Sequence, residues 1–373
     1  MSLCVLKSTK LSKSEFHKTA GKTRKLTIKD VATEAGVSFK TVSRVFNGEG
    51  AVREETRLKV ERAARSLGFT PSVVARQFIR GHADSIGIIV LDLPRWSYYS
   101  DVIIGVQREC QRHGYTVSVY PISASGGKGF FALGRAISSG ALAGLVVAPP
   151  WSSDSTLMNK LRSFDTRLAC LLTDTETSSI PAVFNRDFDG ARRLCQHLLS
   201  QGHENIVFAA GSMSFASSKA RVKGFDRAIA DANLANHTVF RRFSRLNYQS
   251  GYRIADDLLD RNPRPTAILA VNDFLAAGIL YRFSERGLKV PDDVSIAGFG
   301  DLQIASQVWP GLTTMRQDTE EMAAAAARLV ISQVEGVDED LEHVFFDNQL
   351  IIRGSTASPA SVSSGQSSAA PVF

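Results

Sequence analysis

The sequence has only four cysteines in 373 residues. Cys4, Cys110, Cys170 and Cys195 lie far apart and make no C-x-x-C or zinc pattern, so no cysteine metal site is expected. The last three are expected to be buried thiols in a reducing compartment. No run of 18 or more apolar residues occurs, which excludes an ordinary transmembrane helix. The first 25 residues are basic but carry no apolar stretch of the kind a secretory signal needs, so the chain is expected to act inside the cell.

Catalytic motifs are also missing. There is no G-x-x-x-x-G-K-[ST] phosphate loop, and Gly126-Gly127-Lys128-Gly129 has the wrong spacing for one. Gly298-Phe299-Gly300 lacks the third glycine of a dinucleotide fingerprint, and no G-x-S-x-G elbow appears. His203-Glu204 has no second histidine at zincin spacing. The chain is therefore expected not to be an enzyme, and to use no cofactor and no metal.

What is present is a charge asymmetry. The formal net charge is +7, yet residues 1–80 hold 17 Lys and Arg against 7 Asp and Glu, while residues 81–373 hold 27 against 30. A basic head on a mildly acidic body suggests a polyanion as partner. With 44% apolar residues the chain can bury real cores, and its length suggests two or three domains.

The chain divides into five stretches. Residues 1–25 read as a flexible basic arm and 26–70 as three short helices. Residues 71–83 are a link opening with Pro71. From 84 to 354, short β-rich runs alternate with amphipathic helical stretches, the signature of parallel βαβ units. The runs are Ile86–Leu91, Tyr115–Tyr120, Leu142–Val147, Leu168–Leu172, Ile206–Ala209, Ala267–Val271 and Val294–Phe299. Helical stretches include Tyr99–His113, Asp189–Gln201, Ala220–Ala232, Tyr248–Arg261 and Asp273–Arg286, and Gly114, Gly202 and Gly287 sit where helices need a left-handed stop. Residues 355–373 are rich in Ser, Ala, Pro and Gly and are expected to be disordered. They hold no leucine heptads, so a dimer is favoured over a larger assembly.

Within the head, Thr27 can cap a helix with Asp30 as its reciprocal partner. Ile28, Val31, Ala32 and Ala35 form an apolar face, and Gly36 ends the helix. Ser38 can cap a second helix with Val42 and Val45 facing inward, which leaves Phe39, Lys40, Ser43 and Arg44 off the buried stripe. A third helix spans about Glu54 to Leu67 and carries Leu58, Val60, Ala63, Ala64 and Leu67. Two short helices joined by a tight link make a helix-turn-helix. On its second helix, Arg44 can grip a guanine through its planar fork, Lys40 can bond guanine acceptors and Phe39 can touch a thymine methyl.

The run Thr27-Ile28-Lys29-Asp30-Val31-Ala32, then Ala35-Gly36-Val37-Ser38, then Thr41-Val42-Ser43-Arg44-Val45 with Asn47, closely resembles the head of the lactose-repressor (LacI) family. So do Thr56-Arg57, Val60, Ala63-Ala64, Leu67-Gly68-Phe69 and Pro71. The resemblance implies DNA contacts from Thr27, Ser38, Phe39, Lys40, Thr41, Ser43, Arg44 and Asn47. It also implies that the stretch after Pro71 forms a hinge helix in the minor groove of DNA when two subunits meet. There Ala75 would approach the groove floor, Arg76 would bond phosphates, and Phe78, standing where the family has leucine, would wedge a base step.

The strand and helix units fit two doubly wound lobes, as in periplasmic sugar-binding proteins, with ligand beyond the strand C-termini. The body resembles the same family over about residues 84–354, and that resemblance implies effector contacts from Tyr98, Tyr99, Asn185, Arg186, Arg221, Asn272, Asp273, Asp301 and Gln317. The carriers are Tyr98-Tyr99 after the first strand, Asn185-Arg186, Ser218-x-x-Arg221-x-x-Gly224-Phe225, Asn272-Asp273, Gly298-Phe299-Gly300-Asp301, and Leu312-Thr313-Thr314 with Arg316-Gln317-Asp318. Gly300 stands where the family usually has an Asp that bonds sugar hydroxyls. Its loss beside two arginines favours an anionic sugar derivative such as gluconate over a neutral sugar.

The fold class expected is thus an all-α helix-turn-helix head on an α/β two-lobed, doubly wound parallel-sheet body. The function expected is a homodimeric, cytoplasmic regulator, a repressor, of near-palindromic operator DNA. Its effector would be a sugar or sugar acid, and no membrane would be involved. The alternatives are a sugar-binding transport protein and a nucleotide-cofactor enzyme.

Overall fold

The computed structural model describes residues 26–47, 52–69, 83–92, 97–123, 128–174, 179–210, 213–234, 237–240, 245–337 and 342–359. The expected flexible arm and the hinge at 71–82 lie outside them. The chain forms two compact units that part between Gly81 and His82.

The first unit is three helices, α1 (Ile28–Ala35), α2 (Phe39–Asn47) and α3 (Glu54–Leu67). The capping of α1 is as the sequence suggests, with the Thr27 N–H and hydroxyl both donating to Asp30 Oδ2 at 2.7 Å. Gly36 ends the helix with φ 64°, a turn conformation that costs an L side chain but not glycine. Ser38 Oγ then accepts the Thr41 N–H at 3.1 Å and starts α2. Val31, Ala32, Val42, Val60, Ala63 and Ala64 form the buried core. Leu58 is 40% exposed, since it falls off the Val60–Ala63–Ala64 stripe.

The second unit holds two six-stranded sheets. The first has the order β11-β5-β4-β3-β1-β2 and is wholly parallel. Its strands are β1 (Ser85–Leu91), β2 (Thr116–Ile122), β3 (Gly144–Val147), β4 (Arg167–Leu171), β5 (Ala182–Asn185) and β11 (Val344–Phe346). The second, β12-β10-β9-β8-β6-β7, is parallel except for its edge strand β12 (Gln349–Ile351), antiparallel to β10 (Thr313–Arg316). Its other strands are β6 (Ile206–Ala209), β7 (His237–Phe240), β8 (Ala267–Ala270) and β9 (Ser295–Gly300). The central strands are buried on both faces, as continuous apolar runs require.

Helices cover both sheets. The helices of the first lobe are α4 (Ser97–Arg112), α5 (Lys128–Ser138) and α6 (Ser155–Arg162). Those of the second are α7 (Asp187–Ser200), α8 (Ala216–Asp231), α9 (Tyr248–Leu259), α10 (Asp273–Glu285) and the short α11 (Gln303–Gln307). Helix α12 (Thr319–Glu335) returns to the first lobe and packs on α4 and on β3, β4 and β5. The chain thus crosses between lobes three times, after β5, after β10 and between β11 and β12. Cys110, Cys170 and Cys195 are buried free thiols, each pushed by burial up to about 12.

The C-terminal boundary needs a correction. Residues 355–359 were expected in a disordered tail, yet Ser355 and Thr356 are buried. Ser355 Oγ accepts the Thr313 N–H at 2.8 Å, and the Ser355 carbonyl accepts the Ile296 N–H at 2.8 Å. Composition suggested a solvated tail, but Ser and Thr hydroxyls here complete the backbone bonding of β9 and β10. Only 360–373 lie outside the described residues at that end.

Candidate functional site

Two places gather polar chemistry, one in each unit. In the head, α2 buries Val42 and leaves Phe39, Lys40 and Arg44 exposed, with Thr41 and Ser43 half-buried beside them. Lys40 and Arg44 are one turn apart and so share a face, as do Phe39 and Ser43. Phe39 is 51% exposed and is not part of the head's core. Ser38 and Thr41 bond each other at 2.9 Å and shape the start of the helix. Thr27 lies exposed at the start of α1. The Asn47 side chain is outside what the structure describes, as are Ala75, Arg76 and Phe78.

In the body, a cavity of about 60 Å³ lies between the lobes at the strand C-termini, where doubly wound sheets place ligands. Its centre is Arg221 on α8, only 6% exposed. The guanidinium donates to Asp187 Oδ1 (2.7 Å), the Val271 carbonyl (2.7 Å) and Gln317 Oε1 (3.1 Å). It also lies 3.7 Å over the Phe299 ring, a cation–π contact. Asp187 opens α7 and is buried, and burial holds its carboxyl above the usual range although Arg221 opposes that shift. Asn185 donates to the same Asp187 oxygen at 3.1 Å.

Tyr98 and Tyr99, on the first turn of α4, line the cavity from the first lobe with Pro149 and Leu172. Tyr99 donates to the Pro149 carbonyl at 2.7 Å. The buried Tyr98 hydroxyl has no partner, and neither has Gln317 Nε2. A larger cavity of about 520 Å³ adjoins this one at Leu172 and Ser217 and is lined by Asn185, Asp187, Lys219 and Lys223. At its rim Lys219 of α8 pairs with Asp174 beyond β4 at 2.8 Å, a bridge from lobe to lobe.

Two family models match this chain: "Bacterial regulatory proteins, lacI family" over residues 27–72, and "Periplasmic binding protein-like domain" over 195–356. The HTH-type transcriptional regulator DegA of Bacillus subtilis is 30% identical over 337 residues, 89% of this chain and 98% of the relative. The chain belongs to the LacI family. The HTH-type transcriptional repressor PurR of Haemophilus influenzae is 29% identical over 335 residues, 89% of this chain and 99% of that one. The lac repressor dimer solved with operator and the anti-inducer ONPF superposes with a TM-score of 0.75 at 25% identity, covering 90% of this chain and all of that one. As a LacI-family protein the chain is a DNA-binding transcriptional repressor with a ligand-binding domain, and not an enzyme. Among the described residues no helix is long and apolar enough to cross a membrane.

With the LacI family established, the expected effector residues sort into two groups. Tyr98, Tyr99, Arg221, Asn272 and Gln317 line the cavity together. Asn272 does so while capping α10, its Oδ1 accepting the Leu275 N–H at 2.9 Å. The other four do not line it. Asn185 pins the crossing strands by donating to Asn348 Oδ1 at 3.0 Å, and faces the adjoining cavity. Arg186 is half-exposed and pairs with Asp347 at 3.2 Å. Asp301 is held by Arg316 and Arg353, each at 2.7 Å. Asp273 points under β9, where its carboxylate accepts from the Leu302 N–H at 2.7 Å and the Thr314 hydroxyl at 2.6 Å. The sequence reading missed Asp187, Phe215, Leu246, Phe274 and Phe299, because an ion-pair partner 34 residues away and a lining aromatic show no local pattern.

Gly298 is required beside Asp273, since a Cβ there would stand 2.1 Å from Oδ1. Burial pushes the Asp273 carboxyl up to about 6. The folded chain therefore binds this proton more tightly than the unfolded chain, so the group favours folding at low pH. That contribution, on the order of 3 kcal/mol, is lost as pH rises from about 4 to about 6. Asp273→Asn keeps an oxygen for one of the two bonds and has no charge to bury. Denaturant midpoints measured across this window should slope in the parent and be flatter in the variant. Parallel profiles would count against the assignment.

Proposed function

We propose that two copies of this chain bind a near-palindromic operator, each α2 reading one half-site through Phe39, Lys40, Ser43 and Arg44, with Thr27, Ser38, Thr41 and Asn47 on the backbone. The hinge residues Ala75, Arg76 and Phe78 would enter the minor groove between the half-sites. Operator affinity is set by a small effector held between the lobes by Tyr98, Tyr99, Arg221, Asn272 and Gln317. The carbohydrate class expected from the sequence, sugar or sugar acid, enters here, and Arg221 favours a member that carries an acid group. The protein works in the cytoplasm, where its DNA lies.

One observation carries this reading. A helix with an exposed Phe–Lys–Arg surface belongs to one unit, while a second unit with its own cores holds a cavity between two sheets in which Arg221 and Gln317 meet apolar walls. A ligand that favours one lobe arrangement shifts the equilibrium by its differential affinity, about 1–3 kcal/mol in a usual coupling.

Footprinting of the purified protein on random genomic fragments tests the proposal. Protection of a discrete palindrome at moderate salt is expected, and protection of none would defeat it. Arg44→Ala should weaken the protected site by about 1–3 kcal/mol, read as a shift of the binding midpoint. Equal midpoints for variant and parent would remove Arg44 from the base-reading set.

A further inference from the structure

We infer that the effector is a carboxylic acid whose body is an apolar ring, aromatic or alicyclic. The inference rests on the cleft being the effector site. It keeps the acid group proposed above and replaces the polyhydroxylated body.

The walls include Tyr99, Leu172, Phe215, Leu246, Phe274 and Phe299 beside the polar Ser217 and Asn272, so most of a ligand's surface would meet carbon. A sugar brings several hydroxyls, and each one buried needs an acceptor. Among the described residues no carboxylate lines the cavity, and the nearby ones already serve protein donors. Asp187 takes Arg221 and Asn185, Asp273 takes Leu302 and Thr314, and Asp301 takes Arg316 and Arg353. Gly300 lines the cavity with no side chain to add another.

Among the residues that line this cavity, two hold buried polar atoms without a partner, and both atoms can donate; the unpartnered acceptor Asn185 Oδ1 belongs to the adjoining cavity. Gln317 turns its Oε1 to Arg221, which leaves its buried Nε2 donor unbonded. Tyr98 holds a buried hydroxyl with no partner. Both residues line the cavity together with Arg221. A carboxylate is an acceptor only, so it can take both donors, and the Arg221 guanidinium beside them offsets the cost of burying its charge. The charge-assisted bonds it forms are the strong ones. Four of the cavity's liners, Phe215, Leu246, Phe274 and Phe299, offer carbon to the body of a ring.

The test is a thermal-shift and calorimetric series on the full-length protein with benzoate, cyclohexanecarboxylate, benzyl alcohol, gluconate and glucose at millimolar concentration. The ring acids should raise the melting temperature in proportion to the logarithm of concentration, and the alcohol and both sugars should not. Tyr98→Phe, which removes one donor, should weaken ring-acid binding about tenfold. Gln317→Glu keeps the acceptor for Arg221 but puts a carboxylate where the donor was, and should abolish ring-acid binding. Binding of gluconate or glucose without binding of ring acids would overturn the inference and leave the cleft as effector site. No shift with any ring acid, or ring-acid binding indifferent to both variants, would overturn it as well. Ring-acid binding that both variants impair, with operator affinity unchanged by the acid, would support the ligand class and defeat the effector reading instead.

Discussion

Replacing Arg221 with alanine is expected to cost about 3–5 kcal/mol of stability in the body, the cost of stranding a buried charge, and to abolish the response to effector. Arg221 and Asp187 lie 2.7 Å apart with side chains 8% and 4% exposed. Both groups are thus largely withdrawn from water, and each relies on the other for its charge. Exposed pairs such as Arg57–Glu54 contribute far less, because water already solvates both groups. The alanine variant leaves Asp187 with only Asn185 as partner, so its already raised carboxyl rises further. An acid whose folded-state affinity for the proton exceeds that of the unfolded state stabilises the fold when protonated. The deficit of the variant should therefore be largest at neutral pH and shrink as pH falls. Melting curves at two pH values read this directly, and adding Asp187→Asn should recover part of the loss. A deficit below about 1 kcal/mol, independent of pH, would place the pair with ordinary surface bridges. Operator affinity of the unliganded protein should be unchanged, since the head's core draws on no residue of the body.

The fold was legible wherever one physical signal stood alone. β6 matches its apolar run, and β1, β3, β4, β8 and β9 match theirs to within two residues because strands buried on both faces are continuous in sequence; the edge strand β2, only partly buried, matches as closely through its β-branched residues. Gly114, Gly202 and Gly287 stop their helices with positive φ. Helix α12 carried no such signal. Its Met322–Ala327 stretch is buried throughout between α4 and the sheet, so no polar face alternates with an apolar one. β5 offers only Ala182-Val183-Phe184 before the polar Asn185, and the neighbouring β11 joins it only after a return from the second lobe.

The site was legible to a different depth in each unit. In the head, spacing on one short helix separates the buried from the exposed residues, so Phe39, Lys40 and Arg44 could be chosen from sequence. In the body the resemblance supplied the strand ends but not their direction. Asn272 reaches the cavity, while its neighbour Asp273 turns beneath β9 and Asp301 turns to two arginines. Which way a strand-end side chain turns is decided by partners far along the chain, here Thr314, Arg316 and Arg353, and no local pattern encodes that choice.

Val42→Asp should abolish operator binding altogether while leaving ligand binding in the body intact. Val42 is fully buried in a core whose six buried members are all alanine or valine. A domain this small buries too little apolar surface to absorb such a change. An ionised carboxylate cannot remain there, so it either takes a proton or the head unfolds. At neutral pH unfolding is the cheaper outcome, because holding the proton on a buried acid far below its usual acidity costs 1.36 kcal/mol per pH unit. Without α2 held against α1 and α3, Phe39, Lys40 and Arg44 no longer share a surface. The two sheets of the body keep cores built from residues between Ile86 and Ile331, so the melting transition of the body should not move. Fluorescence anisotropy on the operator, beside melting curves of the same samples, separates the two effects. Partial recovery of helix content as pH is lowered toward 5 is also expected, since the folded head binds the aspartate proton more tightly than the unfolded one. Operator binding within tenfold of the parent at neutral pH would show that α2 reads DNA without the core beneath it, and would remove the reason that the three helices fold together.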